Sequence, residues 1–139
     1  MKEFYRDTVA KVYYEPNVNA LFLEYTSKVP NEEIFIAINT AVLKAFVSLS
    51  TTKFVADVRK MGIISVKSQQ WVLSNLLPGM IKHLKGKKLY HAQLLDPSEI
   101  LSKVSANNIK DKSAAVADDF EVRQFSNDRE LQDYLKKIS

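Results

Sequence analysis

The side chains able to carry chemistry are few and widely spaced. Two histidines, His83 and His91, fall on different expected elements, and neither sits in a Glu-x-x-His or His-x-x-x-His arrangement that would give a metal one face. Cysteine is absent, which removes thiolate metal sites, iron–sulfur ligation, disulfides and cysteine nucleophiles. Gly62, Gly79 and Gly86 are too far apart for a dinucleotide turn or a phosphate-cradling loop, both of which need closely spaced glycines so that backbone amides reach phosphate. No Gly-x-Ser-x-Gly elbow occurs either. Carboxylates adjoin at Glu32-Glu33 and Asp118-Asp119, but acid/base catalysis needs opposed carboxyls in a cleft, which adjacency does not provide. No cofactor is therefore expected. Asp57 is the best-placed carboxylate, because it closes a strand and ligand crevices in open α/β sheets lie beyond strand carboxyl ends. It can receive a ligand there or pair with Arg59.

The elements that must position these residues follow from periodicity. Phe4 to Glu15 alternates as one half-buried strand, Glu15-Pro16-Asn17 breaks it, and Ala20 to Tyr25 returns as the second arm of an antiparallel hairpin. A helix is expected from Pro30, at the first helical position, to about Leu49. Lys53 to Arg59 is the next strand. Ser65 caps a second helix, with Val66, Leu73, Leu76, Leu77, Met80, Ile81 and Leu84 on its apolar stripe and Pro78-Gly79 set to kink or split it. Lys88 to Leu95 is a strand. Asp96-Pro97-Ser98-Glu99 carries the signals of a helix start, giving a third helix from about Pro97 to Ile109. A loop over Asp111 to Asp118, a strand over Phe120 to Phe125 and a last helix capped by Asn127 complete the chain. The sum is a single α/β domain over residues 1–139, order ββαβαβαβα, with a mostly parallel five-stranded sheet, an N-terminal antiparallel hairpin and four helices.

This order, with Asp57, Arg59 and Met61 as Asp-x-Arg-x-Met, Ile64-Ser65, Trp71, Pro78 and the closing FEVRQFSNDRELQDYL, resembles the SpoIIAA-like proteins. That group shares the fold of the STAS domains (anti-sigma factor antagonists) and of the CRAL-TRIO lipid-binding family. The resemblance implies a STAS-like fold over nearly the whole chain. Working antagonists carry a phosphorylatable serine beside an aspartate directly after the strand. Here Val58 follows Asp57 and the first serine is Ser65, so Ser65 is the position the resemblance offers for phosphorylation. The plainer role for Ser65 is a helix cap, worth about 1 kcal/mol.

Charge and hydropathy indicate what the surface meets. The net charge is +4, yet residues 53 to 91 hold eight cations against Asp57 alone, a local balance of +7. A basic middle of this kind can attract an anion. Its cluster Lys82, Lys85, Lys87 and Lys88 falls where a helix ends, however, and there cations complement the helix dipole, so nucleic acid is not the expected partner. No apolar run is long enough to span a membrane, and the N-terminus lacks an export signal; with no cysteine, this fits the cytoplasm.

The first helix is apolar nearly all round. Ile34, Ile38, Ala41, Val42, Ala45 and Leu49 form one stripe, and Ile36, Leu43 and Val47 form another. Burying the second set would contribute roughly 5 to 8 kcal/mol before ordering costs, so a cover for it is expected. Trp71 lies off the main stripe of the second helix, as an interface anchor or a filler against the first helix. The expectation is a non-enzymatic, regulatory binding domain acting through protein association, self-association as a homodimer included. Its surface comprises Ile36, Leu43, Val47, Asp57, Arg59, Ser65 and Trp71. A carrier or sensor holding an apolar small molecule or lipid between helices is the alternative, and an enzyme using Asp57 and a histidine the third.

Overall fold

A computed structural model describes residues 1–113 and 120–138. The strands are β1 (Lys2–Arg6), β2 (Ala10–Glu15), β3 (Ala20–Tyr25), β4 (Lys53–Asp57), β5 (Leu89–Leu94) and β6 (Phe120–Phe125). They form one sheet in chain order, antiparallel from β1 to β3 and parallel from β3 to β6. The expected mostly parallel, five-stranded sheet is thus corrected to a six-stranded mixed one. The extra strand comes from a turn that the alternation of Phe4 to Glu15 hides. Asp7 Oδ1 accepts the backbone N–H groups of Val9 and Ala10 at 2.7 and 2.8 Å, and Asp7 N–H donates to Ala10 O. One short carboxylate so replaces the backbone partners a continuous strand would need.

The helical runs number four among the described residues, the second of them interrupted. Helix α1 (Glu32–Val47) is capped by Asn31, whose Oδ1 accepts Ile34 N–H at 2.9 Å, so Pro30 precedes the cap instead of opening the helix. The second run is α2 (Val66–Trp71), a π-helical turn (Val72–Leu76) and α3 (Leu77–Leu84). Pro78 has no N–H to return to Ser74, and the turn before it widens so that Leu77 N–H reaches Val72 O. Helix α4 (Ile100–Ser113) starts later than expected, because Asp96 spends its side chain on Ser98 in a tight turn. It also runs through 111–113, where a loop was expected; the rest of that loop lies outside the described residues. Helix α5 (Asp128–Lys137) is capped by Asn127.

Helices α1 to α4 cover one face of the sheet and α5 covers part of the other. The first face buries Val12, Leu23, Phe54 and Leu89 against Phe35, Ile38, Phe46, Leu76, Met80 and Ile109. The second buries Phe22, Val55, Ala92 and Leu94 against Leu131 and Leu135. Strand β4 is central and wholly buried, with Phe54, Ala56 and Val58 among the first set and Val55 in the second. Lys53 shares the α5 side. Only 3% exposed, it donates through Nζ to Val18 O at 2.9 Å and Leu135 O at 2.8 Å. Its charge meets the carbonyl end of α5, where the helix dipole is negative.

Candidate functional site

The helix phase decides which side chains are left for a partner. In α1 the line facing the sheet is Phe35, Ile38, Val42, Ala45 and Phe46, with Ile34, Ile36 and Leu43 half-buried on its flanks. Leu43 leans on the second helical run where it passes Gly79. A Cβ at Gly79 would fall 2.9 Å from both Leu43 methyl carbons, so the missing side chain is what permits the approach. Val47 remains 44% exposed. The expected second apolar stripe therefore divides: Ile36 and Leu43 are partly satisfied within the chain, and Val47 is not.

In the second run the inward line begins with Ser68 and Gln69 and continues through Val72, Leu76 and Met80. The expectation that Val66 joins the core stripe is overturned, since Val66 is 71% exposed. At 100° per residue Val66 and Leu73 share a line about a third of a turn from Val72. The true phase was hidden because the buried residues of the first turn are polar. Both serve the local backbone: Ser65 Oγ accepts Ser68 N–H at 3.0 Å and donates to Ser68 Oγ, and Gln69 Nε2 donates to Ile64 O at 3.1 Å. Ser65 is thus the helix cap expected, on an exposed residue.

The loop between β4 and α2 is fixed from two sides. Gly62 N–H donates to Ser102 Oγ at 2.7 Å and Ile64 N–H to Ser105 Oγ at 3.1 Å, two buried serines one turn apart on α4. Val29 N–H donates to Met61 O at 3.1 Å. So held, the loop presents Ile63 outward, 60% exposed. Ile36, Val66 and Trp71 line a shallow groove of about 480 Å³ between α1 and α2, with Lys67, Gln70, Ser74 and Asn75 at its rim. Ile36 and Trp71 are brought together as expected. Val66 is the groove member that sequence reasoning missed, and Ile63 the exposed residue of the adjoining loop; for Ile63 the Ile63-Ile64 pair was the available signal, since only one of two adjacent apolar residues can face inward.

Asp57 and Arg59 lie elsewhere, in an open crevice of about 630 Å³ beyond the carboxyl ends of β3, β4 and β5, which also takes in Glu24, Lys28, Lys60, Asp96 and Glu99. Arg59 Nε and Nη2 donate to the two Asp57 carboxylate oxygens at 3.0 and 2.7 Å, and Nη1 lies 3.6 Å from Asp128 Oδ2. The hydrogen bond to Asp57 raises the Arg59 pKa above its ordinary value. Asp57 is therefore engaged on both oxygens, as the ion-pair alternative anticipated.

His91 sits on the opposite face of the sheet from Asp57. It pairs with Phe54, three residues before Asp57, a separation of about 10 Å along the strand. Its ring stacks on Phe54 with centroids 4.8 Å apart, and Nδ1 bonds Phe54 O at 3.1 Å. His83 reaches Leu49 O through Nε2 at 2.9 Å. Asp57 and His91 are not brought into one cleft. Beneath α1 and α4 a void of about 30 Å³ is lined by Tyr25, Asn39, His91, Gln93 and apolar neighbours, space for one or two waters. Among the described residues no three His, Asp or Glu side chains gather as a metal would require, and no helix is long and apolar enough to cross a membrane.

Half of the basic middle is buried or paired in the fold, while Lys82 and Lys85 stay together at the end of α3. Lys53 is buried, Arg59 is paired, Lys67 lies 3.8 Å from Glu32 and Lys88 3.3 Å from Glu121. Comparison of the chain with protein-family models, with curated proteins and with solved structures gives no match.

Proposed function

We propose that the chain is a non-enzymatic, regulatory binding domain of the SpoIIAA-like type, working in the cytoplasm through protein association at the face made by α1, the loop before α2 and α2 itself. The observation that carries this reading is the cluster of apolar side chains on that face. Val66 is mostly exposed beside half-buried Ile36 and Trp71 in the groove, and Ile63 is mostly exposed on the loop before it. Single exposed apolar residues are ordinary, but three around one groove, with a fourth on the loop leading into it, mark an interaction surface. Tryptophan at its centre supplies a large anchor of the kind interfaces favour. The engagement of Asp57 by Arg59 and the burial of His91 among aromatic rings favour binding over turnover.

The test is site-specific photo-cross-linking of the full chain in cells, with a photoreactive residue at Gln70 on the groove rim and a control at Asp133 on α5. Expected is a protein adduct from position 70, absent from 133 and lost when Val66→Glu is added. The absence of any adduct from position 70 would overturn the reading.

A further inference from the structure

Helices α1 and α2–α3 each return from the carboxyl end of one parallel strand to the amino end of the next, so they run in the same direction. Helix α1 lies alongside the whole second run. Acidic residues collect at one end of this face, Glu32 and Glu33 in the first turn of α1. Basic residues collect at the other: Lys44 in the last turn of α1, Lys82 in the last turn of α3 and Lys85 at its cap. Lys67 stands at the acidic end and faces Glu32, while Lys28 and Lys60 of the same end line the crevice at Asp57. Between the ends lie Ile36, Trp71 and Leu43, with Val66 beside Lys67 at the acidic end and Val47 beside Lys44 at the basic end.

A surface that is acidic at one end, apolar in the middle and basic at the other is complementary to itself after a half-turn about an axis perpendicular to its helices. We propose that the occupant of this face is a second copy of the chain, docked across such a two-fold axis with the helices antiparallel. Glu32 and Glu33 then oppose the partner's Lys44, Lys82 and Lys85, and the apolar middle of each protomer, with Ile36 and Trp71, meets that of the other. A two-fold contact is isologous, so a single patch must supply both members of every charge pair, as this one does. An anionic membrane fits less well, because the glutamates would face its headgroups.

This inference rests on reading the face as an association surface. Sedimentation velocity from about 1 μM to 1 mM, a range set by ordinary dimer affinities, tests it. The wild-type chain is expected to dimerise. Glu32→Lys with Glu33→Lys, or Lys44→Glu with Lys82→Glu and Lys85→Glu, should each weaken the dimer about tenfold or more, as opposed like charges do. Mixing the two variants should restore a heterodimer, since each then supplies what the other has lost. All five positions are at the surface, and unchanged circular dichroism certifies the fold. A wild-type monomer throughout the range, a dimer indifferent to both variants, or a mixture that does not pair overturns the inference. If the wild type is monomeric while position 70 cross-links to a different protein, the association reading stands and the second copy falls. If position 70 yields no adduct, both fall.

Discussion

His91 shows how far one buried side chain can govern the pH response. The Phe54 carbonyl can only accept, so Nδ1 carries the proton and the ring is neutral in the fold. Burial pushes its pKa down to about 4 from 6.5, and the bond to Phe54 opposes that only in part. Unfolded chain takes up the proton first. The stabilisation is therefore complete above pH 6.5, falls as the pH drops from 6.5 to 4, and changes no further below that. At roughly 1.4 kcal/mol per pH unit the loss is about 3 kcal/mol. Urea denaturation at pH 7 and pH 4.5 should show most of it. In His91→Gln the drop over that interval should shrink, and an unchanged drop would assign it to other groups. That His91 lies inside a strand was legible from KLYHAQLL. Its stacking on Phe54 was not, because it depends on the register between β4 and β5.

At the scale of elements, two caps were legible, while the starts of α1 and α4 and the helix phases were not. Asn127 followed by Glu130, and Ser65 before an apolar run, announce helix starts through chemistry confined to four residues. The turn at Asp7 kept the alternation running across it, so two strands looked like one. Asp7→Ala removes the acceptor for two backbone N–H groups and the partner of the Tyr5 hydroxyl. A cost of about 1 to 2 kcal/mol in urea denaturation is expected, with faster hydrogen exchange in β1 and no change in α5. On the far side of the sheet α5 is held by two buried leucines, the Lys53 clamp and the Tyr134–Glu121 hydrogen bond. Lys53→Met should leave the Leu135 carbonyl with only the longer bond from Ile138 N–H at 3.4 Å, and the amides of α5 should then exchange faster while those of α1 keep their protection. Equal acceleration in both helices would show that α5 does not open as a separate unit.

For the molecule as a whole, the deciding quantity is the space left between sheet and helices. A lipid-like guest was a sound expectation from α1, whose sequence is apolar on two sides. Three-dimensional packing redistributes those groups: Ile36 and Leu43 turn toward the second helical run, while Phe35 and Phe46, outside both expected stripes, fill the inward line. Which of several apolar lines faces inward depends on neighbours distant in sequence, so the composition of the candidate site was partly legible and its boundary was not. The remaining void of about 30 Å³ is an order of magnitude below the roughly 300 Å³ at which small-molecule pockets begin. Native mass spectrometry of the purified chain should therefore show masses free of any apolar adduct, and an equimolar lipid surviving purification would overturn that. Leu76, at the void and fully buried, gives the complementary test. Leu76→Ala should destabilise the fold by about 2 to 5 kcal/mol in urea denaturation, as cavity formation in a close-packed core does. A cost below about 1 kcal/mol would mean that the helices collapse onto the vacated space, and that the helical layer is softer than its packing indicates.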